Sequence, residues 1–260
     1  MKKLLCALLC AVLVLTAAGA ALAEGDLLEQ VLARGEMVIA CEGTYKPWNY
    51  QDENGELMGY DVEVARAICD LLGVKANIQP CLWDGIFAGL ETGVFDTAIC
   101  DVTITEERAE KYDFSTPYAY SRVSLIVRED NEDITCFEDL KGKTTCNTIT
   151  SIYAQIAEQY GAEVTPVDDL AQTLMLVEQG RIDATLNNNT AFIDYMTERP
   201  DAPFKIVDNY DEAENIAIPV RKGEEAFLAA INDALAQLAE NGTLSELSIK
   251  YFGMDISTME

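Results

Sequence analysis

Twice along this chain a short apolar run of strand character is followed by an amphipathic stretch of helical period, and this alternation restricts the fold more than any other feature. "MVIAC" (37–41) reads as a buried strand after a short helix, "DLLEQVLARGE", closed by Gly35. "DVEVARAICDLLGVK" reads as a helix capped by Asp61, with Val62, Ala65, Ile68 and Leu72 at helical spacing and Gly73 as its stop. "ANIQPCLW" leads into a second strand, and "WDGIFAGLETG" is a short helix. "FDTAICD" is a third strand, and "TEERAEKY" a helix capped by Thr105. The loop "GTYKPWNYQDENGELMGY" joins the first strand to its helix. Strand–helix alternation of this kind predicts an α/β lobe with a largely parallel sheet. Ligands of such sheets bind beyond the carboxyl ends of the strands, where Glu42, Trp83 and Asp101 all fall.

After "DFSTPYAYSRVSLIVRED" the alternation restarts. "KTTCNTI", "EVTPV" and "RIDATLN" are strands; "SIYAQIAEQYG", "DLAQTLMLVEQG" and "TAFIDYMTER" are helices, the last stopped by Pro200. "ENIAIPVRKGE" returns to an apolar strand before two closing helices joined at Asn241-Gly242. "GVFDTAICD" and "GRIDATLNN" share a Gly-x-x-Asp entry to an apolar strand, a hint of matching units.

The 260-residue chain opens with Lys2-Lys3, the apolar run "LLCALLCAVLVLTAAGAALA" and an Ala-Leu-Ala site, which reads as a signal peptide over 1–23 rather than a membrane anchor. No cysteine directly follows the apolar run, so a lipoprotein cleavage signal is missing. Cleavage would lower the 18 basic residues to 16 against 45 acidic ones, taking the net charge from −27 to −29. Nucleic acid and anionic lipid are poor partners for such a chain. Histidine is absent, which removes Ser-His-Asp and Cys-His catalysis and the commonest metal ligand. The eight cysteines fall to six after cleavage, none in a Cys-x-x-Cys spacing, so no metal or cofactor is expected.

In this acidic chain Arg108 stands out. It lies one turn inside a helix entered through Thr103-Ile104-Thr105. A guanidinium fork fits a carboxylate bidentately, and a helix N-terminus attracts anions. Thr150-Ser151 opens a second such terminus in the second half. Ordinary capping explains each hydroxyl singly, and a surface salt bridge explains Arg108 singly. Tyr45, Trp48 and Trp83 follow strand ends and are candidates for stacking on a ligand or for packing at the edge of the core.

Taken together, Gly43-Thr44-Tyr45-x-Pro47-Trp48, Gly59-Tyr60-Asp61-Val62, Trp83-Asp84-Gly85, Thr103-Ile104-Thr105-x-x-Arg108 and Asp113-Phe114-Ser115-x-Pro117-Tyr118 resemble the family 3, polar amino-acid type, extracellular solute-binding proteins of ABC importers. "TSIYAQIAEQYGAEVTPVD" and "TAFIDYMTERPDAPFKIV" resemble the cystine-type subgroup. The likeness runs from about residue 35 to 256. It implies a two-lobed, type II periplasmic-binding-protein-like α/β fold: two sheets with flanking helices, joined by a hinge of two crossings. Lobe one would comprise 24–119 and 218–260, and lobe two 120–217. It also implies a monomer that binds a small polar amino acid, without catalysis, and delivers it to an ABC permease.

The resemblance puts the carboxylate-binding arginine on Arg108, the neighbouring hydroxyl on Thr103, and the opposing helix terminus on Thr150 and Ser151. It puts stacking aromatics on Tyr45 and Trp83, and the side-chain reader on Glu42. Where the family holds the ligand ammonium with a second-lobe acid, this chain has Asn188, and Asp101 stands where a small residue or amide is common. Asp101 is therefore expected to supply the missing carboxylate from the other lobe, the alternative being a ligand that is not a standard α-amino acid. Cys100, beside it, is included in the candidate site, and a Cys41–Cys100 bond is one alternative to free thiols. The competing functions are a dehydratase-like enzyme on the same fold and a sensing domain serving a separate receptor.

Overall fold

The computed structural model describes residues 26–259; the signal-peptide reading over 1–23 lies outside them. Two sheets carry the molecule. The first has the parallel order β5-β1-β6, built from β1 (Glu36–Cys41), β5 (Lys75–Pro80) and β6 (Thr97–Ala98). The second has the order β10-β9-β11-β8-β12, from β8 (Ala119–Arg128), β9 (Thr144–Asn147), β10 (Glu163–Pro166), β11 (Ala184–Asn188) and β12 (Phe204–Ile216). β9, β10 and β11 run parallel; β8 and β12 are antiparallel to their neighbours. β8 and β12 pair from Ala119↔Ile216 to Arg128↔Phe204, so both connections between the two halves run side by side.

The same local device leads into one strand of each sheet, β6 in the first and β11 in the second. Asp96 accepts from the Val38 N–H at 2.7 Å and also pairs with Arg34; Asp183 accepts from the Thr144 N–H at 2.7 Å and its hydroxyl at 2.8 Å. Each aspartate's own N–H returns a bond to the partner strand, to Val38 O and Thr144 O. The two Gly-x-x-Asp entries are thus alike in geometry as well as in sequence.

Helix Tyr60–Leu72 is stopped by Gly73 in the left-handed conformation, as its sequence predicts. Its start differs from the expectation. The N-cap is Gly59, at φ 121°, where a Cβ would lie 2.2 Å from the Trp48 carbonyl oxygen. Only glycine tolerates this close crossing. Asp61, expected to cap the helix, instead turns its carboxylate inward, accepting from Tyr118 Oη at 2.6 Å and Asn49 Nδ2 at 2.9 Å. Trp48 is likewise not a ligand-stacking ring: it is fully buried against Tyr60 and Phe252, its Nε1 donating to Thr190 Oγ1 at 3.1 Å.

The loop after β1 carries a small antiparallel sheet of β2 (Thr44–Tyr45), β3 (Asn49–Gln51) and β4 (Leu57–Met58). Trp83 opens a helix, Trp83–Glu91, as the run "WDGIFAGLETG" predicts. The third strand is only two residues long, and three residues beyond it stands Asp101, a non-glycine residue at φ 47°. The six cysteines of the described residues are all free thiols, so Cys41 and Cys100 are not bonded. Cys100 Sγ instead lies 3.6 Å from Asn49 Nδ2.

Asp96→Ala leaves a buried strand N–H and Arg34 without their acceptor, and is expected to cost about 2 kcal/mol. Asp183→Ala, at an exposed carboxylate, should cost less. Urea midpoints of the two variants measure the difference.

Candidate functional site

The candidate residues converge on a cleft between the two sheets. Its cavity spans about 640 Å³ counted to the open mouth and is lined by Glu42, Tyr45, Trp83, Asp101, Thr103, Arg108 and Ser151, among others. Three further candidates stand outside this lining. Cys100 is buried behind it, and Thr150 is exposed and bonded to Asp84. Asn188 is fully buried beneath Asp101.

Arg108 is held by Thr105, whose side chain caps helix Glu106–Lys111 by accepting from the Arg108 N–H. Its guanidinium donates to Thr103 O at 2.8 Å and to Thr150 O at 3.3 Å, one carbonyl from each half of the molecule. The rings of Trp83 and Phe87 lie 5.3 and 5.2 Å from it, within cation–π range. Two of the five guanidinium N–H groups are therefore spent, and the remainder can meet a carboxylate. Burial pulls the Arg108 pKa down, while Tyr153, Glu107, Glu214 and Asp101 oppose the shift.

The hydroxyls are differently engaged. Thr103 Oγ1 donates to Glu214 at 3.1 Å. Ser151 caps helix Ile152–Gln159, accepting from the Ala154 N–H and donating to Thr148 O at 2.6 Å. What this terminus adds for an anion is its first-turn backbone N–H groups. Across the cleft, Tyr45 Oη donates to Asn187 Oδ1 at 2.6 Å and lies 3.4 Å from Tyr153 Oη.

Asp101 and Asn188 meet directly: Asn188 Nδ2 lies 3.2 and 3.4 Å from the two carboxylate oxygens of Asp101. Its own oxygen accepts from Ser121 and Thr190. The amide is oriented by these donors, so its nitrogen is presented to the acid. Glu214, from the crossing strand β12, joins the group; it is 3% exposed and its Oε2 has no partner. Sequence reading missed it because "NYDEAEN" looks like a solvated charge run. Tyr153, Asn147, Asp168 and Asp169, which also line the cleft, belong to no short motif.

Carboxylates dominate the electrostatics. Burial raises Asp101 well above the ordinary carboxylate range, with Glu214, Asp61 and Glu42 adding to the shift and Asn188 opposing it. Glu214 is raised by the same burial, against Thr103, Arg108 and Tyr153. Glu42 is pushed up to about 7 by burial, then by Asp61, Asp169, Asp168 and Asp84. Asp61 also reaches about 7 through burial.

A carboxyl whose folded pKa exceeds its unfolded value stabilises fully below the unfolded value and loses that contribution as pH rises through the folded one. For Glu42 the window runs from the ordinary 4.5 to about 7. The ligand-free wild type should therefore lose stability relative to Glu42→Gln as pH rises across this window, measured by urea denaturation. A pH-independent difference would contradict the assignment.

Comparison with known proteins agrees with this architecture. The profile of "Bacterial extracellular solute-binding proteins, family 3" matches residues 37–254. A "probable amino-acid ABC transporter-binding protein" of Haemophilus influenzae is 36% identical over 233 residues, covering 90% of this chain and 91% of its own. Among solved structures, an ancestral arginine-binding protein bound to arginine matches with TM-score 0.80 and 36% identity, over 85% of this chain and 99% of that one. The L-cystine solute receptor of Neisseria gonorrhoeae, unliganded and open, matches with TM-score 0.62 and 40% identity, over 90% and 100%. With a profile match over most of its length and relatives of this identity and coverage, the chain belongs to the bacterial extracellular solute-binding proteins of family 3.

Proposed function

We propose that this protein captures an amino acid outside the cytoplasmic membrane and hands it to an ABC permease, its two lobes closing over the ligand. The observation that carries the reading is Arg108: a buried cation in a cleft between two α/β halves, bonded to a backbone carbonyl of each and keeping donors to spare. The lobes are 24–119 with 218–260, and 120–217; residues 1–23 are removed on export, and the protein works as a monomer without turnover.

Arg108 takes the ligand carboxylate, with the terminus at Thr150-Ser151 and the backbone around Thr103 completing its shell. Tyr45 and Trp83 flank the side chain. Asp101 takes the ammonium, oriented by Asn188 from the opposite lobe. Where the family holds the ammonium with a second-lobe acid stands an amide, and where a small residue or an amide is common stands an acid. The 3.2 Å contact between the two supports an exchange of roles across the cleft. Cys100 backs this wall through Asn49.

Ties such as Tyr45–Asn187, Trp48–Thr190 and Asp101–Asn188 support reading the present arrangement as the closed one. So does the higher TM-score to the arginine-bound structure than to the open receptor. Closure is driven by contacts that a ligand makes with both lobes at once. Delivery to a permease rests on the likeness to the Haemophilus influenzae probable amino-acid ABC transporter-binding protein.

Two variants test the reading by calorimetry and thermal shift. Arg108→Ala should abolish measurable binding of every carboxylate ligand; retained affinity would remove Arg108 as the anchor. Asp101→Asn should weaken amino-acid binding about tenfold or more, the loss of one charge-assisted hydrogen bond. Unchanged affinity there would remove the exchange with Asn188 while leaving the anchor intact.

A further inference from the structure

Closing two acidic halves on one another is opposed by their charge. Acids outnumber bases by more than two to one both in 120–217 and in 24–119 with 218–260. Contacts that cross the cleft have to outweigh this repulsion. Those of Tyr45 and Trp48 are neutral hydrogen bonds, and that of Arg108 ends on a carbonyl. Among the described residues, the ion pairs of Arg34, Lys111, Arg128, Lys143, Lys222 and Lys250 each stay within one half. Lys46 is the exception. From the loop between β2 and β3 of the first half, its Nζ pairs with Glu198 and lies 3.8 Å from Asp194, both on helix Asn189–Glu198 of the second.

The neighbouring contacts show how this pair is built. Tyr45 bonds Asn187 just before the helix, Trp48 bonds Thr190 in its first turn, and Lys46 reaches Asp194 and Glu198 further along. Thr190, Asp194 and Glu198 recur every four residues, so they share one face of the helix. Trp48 is fully buried, which fixes the loop from which Lys46 extends, and the Lys46 ammonium lies 5.5 Å from the centre of the Tyr50 ring. Tyr45 and Asn187 line the ligand cavity, whereas Lys46, Asp194 and Glu198 stand outside that lining. The tie therefore forms when the halves meet, whatever lies between them.

We propose that Lys46, with Asp194 and Glu198, is a clasp outside the cleft that favours the closed form and so sets the affinity for every ligand by a common factor. The inference rests on the two-lobe closure reading above. A group that stabilises the closed state without touching the ligand changes the fraction of molecules competent to hold it, not the preference among ligands. The side chains are partly exposed, Lys46 at 38% and Glu198 at 56%, so solvent screens the pair and its removal weakens binding without abolishing it. Salt screens the repulsion between the halves together with the clasp, so charge variants discriminate better than ionic strength.

The twenty standard amino acids and cystine, screened by thermal shift, supply the probes, and the two that raise the melting temperature most are titrated calorimetrically. Lys46→Ala should weaken both by about two- to fivefold, and Lys46→Glu by more, because it sets a third carboxylate against Asp194 and Glu198. The ratio of the two affinities should stay within about twofold of its wild-type value. Adding Glu198→Lys to Lys46→Glu restores an opposite-charge pair and should recover affinity to within about threefold of wild type. Unchanged affinity in Lys46→Glu, a loss that the charge swap does not recover, or a shifted ratio would overturn the clasp and leave the amino-acid reading standing. If none of the probes binds the wild type, the amino-acid reading fails, and X-ray scattering of the ligand-free protein decides the clasp. A radius of gyration larger in Lys46→Glu and recovered by the swap then supports it, and an unchanged radius overturns it.

Discussion

The guanidinium of Arg108 holds the cleft in the form described. Among the described residues it is the single base lining a cleft with four carboxyl side chains, and its donors reach the Thr103 carbonyl on one side and the Thr150 carbonyl on the other. Burial weakens its hold on its proton, and the surrounding acids restore it. An isolated buried cation would be costly; one bonded to two backbone carbonyls, near the charges of Glu107, Glu214 and Asp101 and within reach of two aromatic faces, is tolerated. Glu214 leans on it in turn, because Arg108 opposes the burial that raises the Glu214 pKa. Burial raises Asp101, Glu42 and Asp61 as well.

This surplus of acid has a functional logic. A cleft whose walls hold more negative charge than they can neutralise is most stable when protonated or when occupied by a ligand that brings cations. The two halves share the arrangement: Glu42 and Asp101 follow strands of the first sheet, while Asn147 and Asn188 end strands of the second and Asp168 follows another. A ligand touching both sets is held only when the lobes come together.

Much of this was legible in the sequence. Gly35 and Gly73 stop their helices in the left-handed conformation, and Thr105 and Ser151 cap theirs. These signals are local and survive any tertiary context. Arg108 was legible because one base after a hydroxyl-rich turn is anomalous in so acidic a chain. What failed were positions decided by distant neighbours. Asp61 looks like a cap, but Gly59 supplies the turn and the carboxylate is drawn inward by Tyr118 and Asn49. Trp48 looks like a cleft aromatic, but Tyr60 and Phe252 enclose it. Glu214 reaches the site only because β12 crosses between the halves beside Thr103, a contact more than a hundred residues apart in sequence.

The charge balance itself is open to direct measurement. An amino acid that raises the melting temperature, titrated calorimetrically at pH 7 in buffers of different ionisation enthalpy, reports the protons exchanged on binding. If the cleft's raised carboxyls give up protons as the ligand's ammonium arrives, the apparent binding enthalpy varies with the buffer's ionisation enthalpy, with the slope of net proton release. An apparent enthalpy independent of the buffer, with binding intact, would contradict the account: the carboxylates would then carry the same charge with and without the ligand.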